Sequence, residues 1–174
     1  LVNIIAKSKN WNQLILITKK AYNKKIIDID TYNKNTSISY YEISKIKMYS
    51  ESHESLSLII KAIKLNKKFP PFIKLHLEIL FHMNETSKLL KVLKKYWNES
   101  PTSALRKIIS SFLKENKLDK IDNIKLIIKN NYNEIESKKI LVDFAIKNTN
   151  WSLARENISV LITKNPEREI CEFM

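Results

Sequence analysis

Few side chains in this 174-residue chain could do chemistry. It has three histidines (His53, His76, His82), one cysteine (Cys171) and 18 Asp+Glu. His76 and His82 are six positions apart, so on a helix they point to different sides and cannot share a metal ion. His76 lies on an apolar face and reads as a core or rim histidine. One cysteine excludes an internal disulfide framework and a Cys-rich zinc site. Asp28 with Asp30, and Asp119 with Asp122, stand where helices begin and read as caps, not as acid–base pairs. No nucleophile is grouped with a base. Glycine is absent altogether. That removes the phosphate-cradling P-loop, the dinucleotide fingerprint and the nucleophile elbow, each of which needs glycine for its turn. The chain is expected to be no enzyme and to hold no metal.

Charge is the second resource. Lys+Arg number 31, the formal net charge is +13 and the isoelectric point is near 9.7. Such a balance suits an acidic partner. Yet there are 28 Lys to 3 Arg, beside 27 Ile and 18 Asn, a pattern that a biased coding composition produces without any partner. The cations are spread along the chain, and the densest group, Lys88, Lys91, Lys94 and Lys95, reads as the wet face of a helix. Aromatic residues do not interleave with the cations in the way that stacks bases, so nucleic acid is not an expected partner. An anionic membrane surface suits the charge better, at about 1 kcal/mol per near-surface Lys or Arg.

The elements that must position these groups are helices. Leu105, Ile108, Ile109, Phe112 and Leu113 fall at offsets 0, 3, 4, 7 and 8. Leu56 to Ile63, Ile73 to Phe81 and Trp151 to Ile162 carry similar stripes. Strand-like alternation is not sustained, and two-residue hairpins want glycine. The expected class is all-α, with helices near 2–8, 11–22, 30–50, 53–65, 71–83, 85–98, 101–115, 119–131, 134–147, 151–164 and 167–174. Ser100-Pro101 and Asn165-Pro166 look like N-caps before a proline at the first helical position. Asn84, Asp119 and Asn150 are further candidate caps, and Asn133 with Glu136 has capping-box spacing. No run approaches the ~20 apolar residues that span a bilayer. The chain opens on Leu1 inside a helical pattern, which reads as a fragment of a longer protein.

The helices come in pairs with a period. Asn10-Trp11 and Asn150-Trp151 are 140 residues apart, and Pro101 and Pro166 are 65 apart. Both fit tetratricopeptide (TPR) spacing of about 34 residues. The expected fold is therefore a single repeat domain over 1–174, a TPR-like α-solenoid of antiparallel helix pairs. Other α-solenoid repeats remain an alternative. In this frame Leu141, Ala145, Ala154, Ile158 and Leu161 of one pair are buried, as are Ile73, His76, Leu77, Leu80, Leu89, Leu93 and Tyr96 of another. Trp11, Trp97, Trp151, Ala154, Pro101 and Pro166 are the expected repeat-core residues. Leu77 or Val142 stands where a small residue would allow close approach, so wider packing is expected there. Lys74, Arg106 and Lys139 fall at equivalent first-helix positions facing a groove, where spaced cations would favour an acidic peptide.

Four stretches resemble the C-terminal TPR region of HemY proteins of the alphaproteobacterial type. They are Asn10-Trp11-Asn12-Gln13-Leu14, the run from Ala62 to Pro71, the run from Leu93 to Pro101, and Trp151-Ser152-Leu153-Ala154-Arg155-Glu156-Asn157 with Asn165-Pro166 and the ending Ile170-Cys171-Glu172-Phe173-Met174. Thr102 and Ser103 replace a histidine usual after Pro101, and Glu172 stands where a basic residue is usual. The resemblance implies a non-catalytic scaffold for protein partners, haem-pathway enzymes among them, associated with haem (porphyrin) biosynthesis. It also implies an N-terminal anchor outside this chain, in the bacterial inner membrane, with the repeats on the cytoplasmic side. Direct haem or porphyrin binding is the alternative it implies, with Cys171, His76 and His82 as the ligands on offer. A basic TPR adaptor unrelated to haem is another.

Overall fold

Without glycine, the chain must still reverse direction after every helix. The computed structural model, which describes residues 9–67 and 69–164, shows how. Lys25, Asn84, Lys117 and Thr149 take left-handed backbone with φ of 56°, 58°, 56° and 54°. Each closes a helix with paired reverse bonds. Thr149 N donates to Ile146 O and Asn150 N to Ala145 O; Lys117 N donates to Lys114 O and Leu118 N to Leu113 O. The turns at Lys25 and Asn84 follow the same pattern. This is the Schellman closure, usually built on glycine because a Cβ costs energy in that conformation.

Nine α-helices follow among the described residues. They are α1 (Trp11–Asn23), α2 (Ile29–Lys47), α3 (Ser52–Leu65), α4 (Pro70–His82), α5 (Thr86–Glu99), α6 (Ser103–Glu115), α7 (Ile121–Ile128), α8 (Ile135–Lys147) and α9 (Trp151–Lys164). A 3-10 turn, Lys129–Asn131, continues α7. The all-α expectation holds for these residues, and the stripes fixed the helices to within a few positions. The join between α1 and α2 is a turn from Lys24 to the cap Asp28. The expected helices 2–8 and 167–174, with Pro166 and Cys171, lie outside the described residues.

Some caps differ from expectation. Asn150 does cap α9, accepting from Leu153 N at 3.1 Å. Asn10 does the same for α1, accepting from Gln13 N at 3.2 Å. The cap of α6 is Thr102, not Ser100, so half-buried Pro101 precedes the helix instead of opening it. A proline disfavours helical backbone in the residue before it, not after it, and Thr102 supplies the acceptor for Leu105 N. Asn84 closes α4 instead of opening α5. Lys120 and Glu134, neither with a side-chain bond, hold the cap positions expected for Asp119 and Asn133.

The chain divides into two compact units, one ending at Thr86 and one starting at Ser87. In the first, α1 packs on α2, α2 on α3 and α3 on α4. Its core is Met48, Ile59, Ala62, Phe72, Leu75 and Ile79. Tyr41 of α2 reaches Phe72 of α4 at 5.2 Å between ring centroids. Helix α2 buries Thr36, Ser37, Ser39 and Ser44. Ser44 Oγ donates to Ser55 O at 2.8 Å, and Ser55 Oγ donates to Ser44 O at 2.7 Å. Ser37 and Ser39 turn their hydroxyls back onto Lys34 O and Asn35 O. Small hydroxyl side chains therefore provide the close approach that glycine or alanine would otherwise give, and each of these four serines finds an acceptor, whereas Thr36 Oγ1 does not.

In the second unit α8 packs on α6, α7 and α9. Trp97 is fully buried; its indole N–H donates to Ser137 Oγ at 2.8 Å, and its carbonyl accepts from Asn131 Nδ2 at 3.0 Å. Ala154 is buried as expected, and so are Leu77 and Val142. Trp11 is half-buried. Trp151 is 59% exposed, which corrects its assignment to the core. It occupies the first helical position, and the apolar stripe of α9 is carried inward by Ala154 and Leu161 instead.

Thr149 is β-branched and holds the most costly of the left-handed positions. Thr149→Gly should raise stability by about 1 kcal/mol in chemical denaturation, and Thr149→Val should lower it.

Candidate functional site

The three cations expected along a groove are not equivalent. Lys74, on α4, is exposed and makes a loose pair with Glu78 at 3.8 Å. Arg106, on α6, is 4% exposed, and Lys139, on α8, is 2% exposed. Arg106 Nε donates to Glu136 Oε2 at 2.8 Å, and its Nη1 donates to Asp143 Oδ2 at 2.9 Å. Lys139 Nζ stands 3.5 Å from Glu136 Oε1. The expectation that Arg106 and Lys139 greet a partner is therefore corrected. Both are held by carboxylates of α8, and their charge is used inside the protein.

The geometry has a plain cause. Glu136, Lys139 and Asp143 recur at three- and four-residue steps, so they share one face of α8. Arg106 reaches that face from α6 and forks between the two carboxylates. Burial disfavours its positive charge, but Asp143 and Glu136 outweigh that and hold its pKa above the ordinary arginine value. It stays charged at every accessible pH. Lys138, next to Lys139 in sequence, sits over the Tyr132 ring at 3.6 Å from the centroid.

An open groove of about 560 Å³ lies along α6 and α8, and Arg106 and Asp143 are among its lining residues. Its other lining residues are Lys107, Ser110, Ser111, Lys114, Glu115 and Lys147. Lys107, Ser110, Ser111 and Lys114 fall at offsets 0, 3, 4 and 7, one face of α6. Sequence reasoning found the groove's helices and Arg106, which lines it, but not Lys107, Lys114 or Lys147. The signal that separates them is amphipathic phase. Arg106 adjoins Leu105 on the stripe, whereas Lys107 and Lys114 fall outside it.

The two histidines offered as haem ligands do not converge. His76 is buried on α4, whereas His82, on the same helix, is exposed and meets the Tyr49 ring edge-on at 5.1 Å. Among the described residues no group of three or more His, Cys, Asp or Glu could hold a metal ion. No helix of the described residues is long and apolar enough to cross a membrane. Neither protein-family models nor curated proteins give a match to this chain.

Lys74 and Arg106 should separate cleanly on substitution. Lys74→Ala should change stability by no more than about 0.5 kcal/mol. Arg106→Met takes the guanidinium from between Glu136 and Asp143, both partly buried, and should cost about 3 kcal/mol, read as a shift in the urea midpoint.

Proposed function

We propose that this chain is a non-catalytic, TPR-like scaffold that presents helix pairs to protein partners. One observation carries the reading: helix starts recur at nearly constant intervals. From Ser52 to Thr86 is 34 residues, from Pro70 to Ser103 is 33, from Thr86 to Ile121 is 35 and from Ser103 to Ile135 is 32. Within the second unit, α8 touches both α6 and α7 as well as its own partner α9. A first helix packed on both members of the preceding pair is how stacked pairs bury a continuous core. The interval is longer before that, from Ile29 to Pro70, because α2 has 19 residues. The repeats are irregular in the same region where serines line the contacts.

The HemY-like motifs support a finer proposal. In it, the scaffold belongs to a longer protein anchored in a bacterial inner membrane, with this region on the cytoplasmic side, and it gathers enzymes of haem or porphyrin biosynthesis. The surplus of lysine agrees with a place beside an anionic leaflet. No second reading is favoured by a particular observation, since the histidines on α4 stand apart.

The test is affinity purification of the anchored, full-length protein from its own cells, after crosslinking, with partners identified by mass spectrometry. The proposal expects haem-pathway enzymes to come down with it and to be lost when residues 1–174 are deleted. Recovery that is unchanged by the deletion would contradict it. A Soret shift on haem titration of the isolated chain would replace it with direct haem binding.

A further inference from the structure

We infer that the groove along α6 and α8 is a docking site for an extended acidic peptide segment of a partner protein, read by Lys107, Lys114 and Lys147. The inference rests on the scaffold reading and gives it a ligand chemistry. Three observations carry it.

First, these lysines are exposed, line one groove and take part in no ion pair among the described residues. Arg106, Lys139 and Lys74, by contrast, face carboxylates of their own chain. Apart from Glu115 at the groove's edge, the counter-charge to these lysines would be a ligand or solvent.

Second, the site is built rather than merely charged. Its Asp143 accepts from buried Arg106, so it adds little negative charge of its own and fixes α8 against α6. Ser110 and Ser111 lie between Lys107 and Lys114 on the same face and offer hydroxyls to a peptide backbone.

Third, the spacing suits a polypeptide. Seven residues along α6 separate Lys107 and Lys114 by about 10.5 Å of helix rise. An extended chain in the polyproline II form covers about 9 Å in three residues, one full turn, so positions i and i+3 share a face. Acidic side chains three positions apart can thus meet both lysines. Nucleic acid is the lesser fit, since no aromatic residue lines this groove to stack a base.

The experiment is fluorescence anisotropy on the whole chain, with a labelled peptide of about twelve residues carrying Glu at every third position. A peptide with Gln at those positions is the control ligand. Three proteins are compared: wild type, the triple variant Lys107→Ala, Lys114→Ala, Lys147→Ala, and a second triple variant, Lys19→Ala, Lys20→Ala, Lys64→Ala, which removes equal charge from exposed positions elsewhere. Circular dichroism checks that all three are folded; the substituted side chains are exposed. The inference expects the Glu peptide to bind, the Gln peptide to bind weakly or not at all, and the groove variant to weaken binding about tenfold or more. The second variant should stay within about twofold of wild type. Equal loss in both variants means attraction to net charge and overturns the inference. Absence of Glu-peptide binding, or a single-stranded oligonucleotide that binds more tightly through the same three lysines, also overturns it. None of these results decides the scaffold reading, which stands or falls on the co-purification.

Discussion

Arg106 is the side chain on which the second unit's surface chemistry depends. It crosses from α6 to α8 and is shared by Glu136 and Asp143 at 2.8 and 2.9 Å. A buried guanidinium is costly unless each fork finds a carboxylate. Once it does, the two helices are fixed in register and the remaining charges sort themselves. Lys139 is drawn to Glu136. Lys107, Lys114 and Lys147, one helical phase away, remain in water along the groove. An internal ion cluster thereby turns a generally basic surface into a directional one.

The absence of glycine shapes the rest. Every reversal among the described helices that uses left-handed backbone places Lys, Asn or Thr there, at a cost of roughly 1 kcal/mol or more each. Close helix contacts that glycine or alanine would serve are made by serine, with Ser44 and Ser55 exchanging hydroxyl–carbonyl bonds. Buried Ser37 and Ser39 spend their hydroxyl donors on carbonyls of the preceding turn, whereas Thr36 Oγ1 on the same helix finds no partner. A chain dominated by Lys, Ile and Asn can thus build short, well-ended helices, provided small polar residues occupy the tightest crossings.

How much of this was legible follows from the range of each interaction. Helix existence and extent depend on neighbours three and four residues away, so the stripes at Leu105–Leu113 and Ile73–Phe81 gave α6 and α4 directly. Asn150 was readable as a cap for the same reason. The groove cations were not, because the carboxylates that claim Arg106 lie 30 and 37 residues on. Ser44 and Ser55, 11 residues apart, are in the same class. Trp151 misled because a tryptophan at the start of an apolar stripe invites a core role, whereas a first-turn position can leave the ring over the helix end, 59% exposed. Trp97 met the core expectation, with its indole N–H satisfied by Ser137, a partner 40 residues away.

The central claim is that Arg106 and Asp143 act as one unit that locks α6 to α8. A double-mutant cycle measures it directly, using Arg106→Met, Asp143→Asn and the combination, each unfolded in urea. The account predicts a coupling energy of about 1.5 kcal/mol or more, with the double variant far less damaged than the sum of the singles. Additivity within about 0.5 kcal/mol would show that the two side chains do not depend on each other, and would contradict the account.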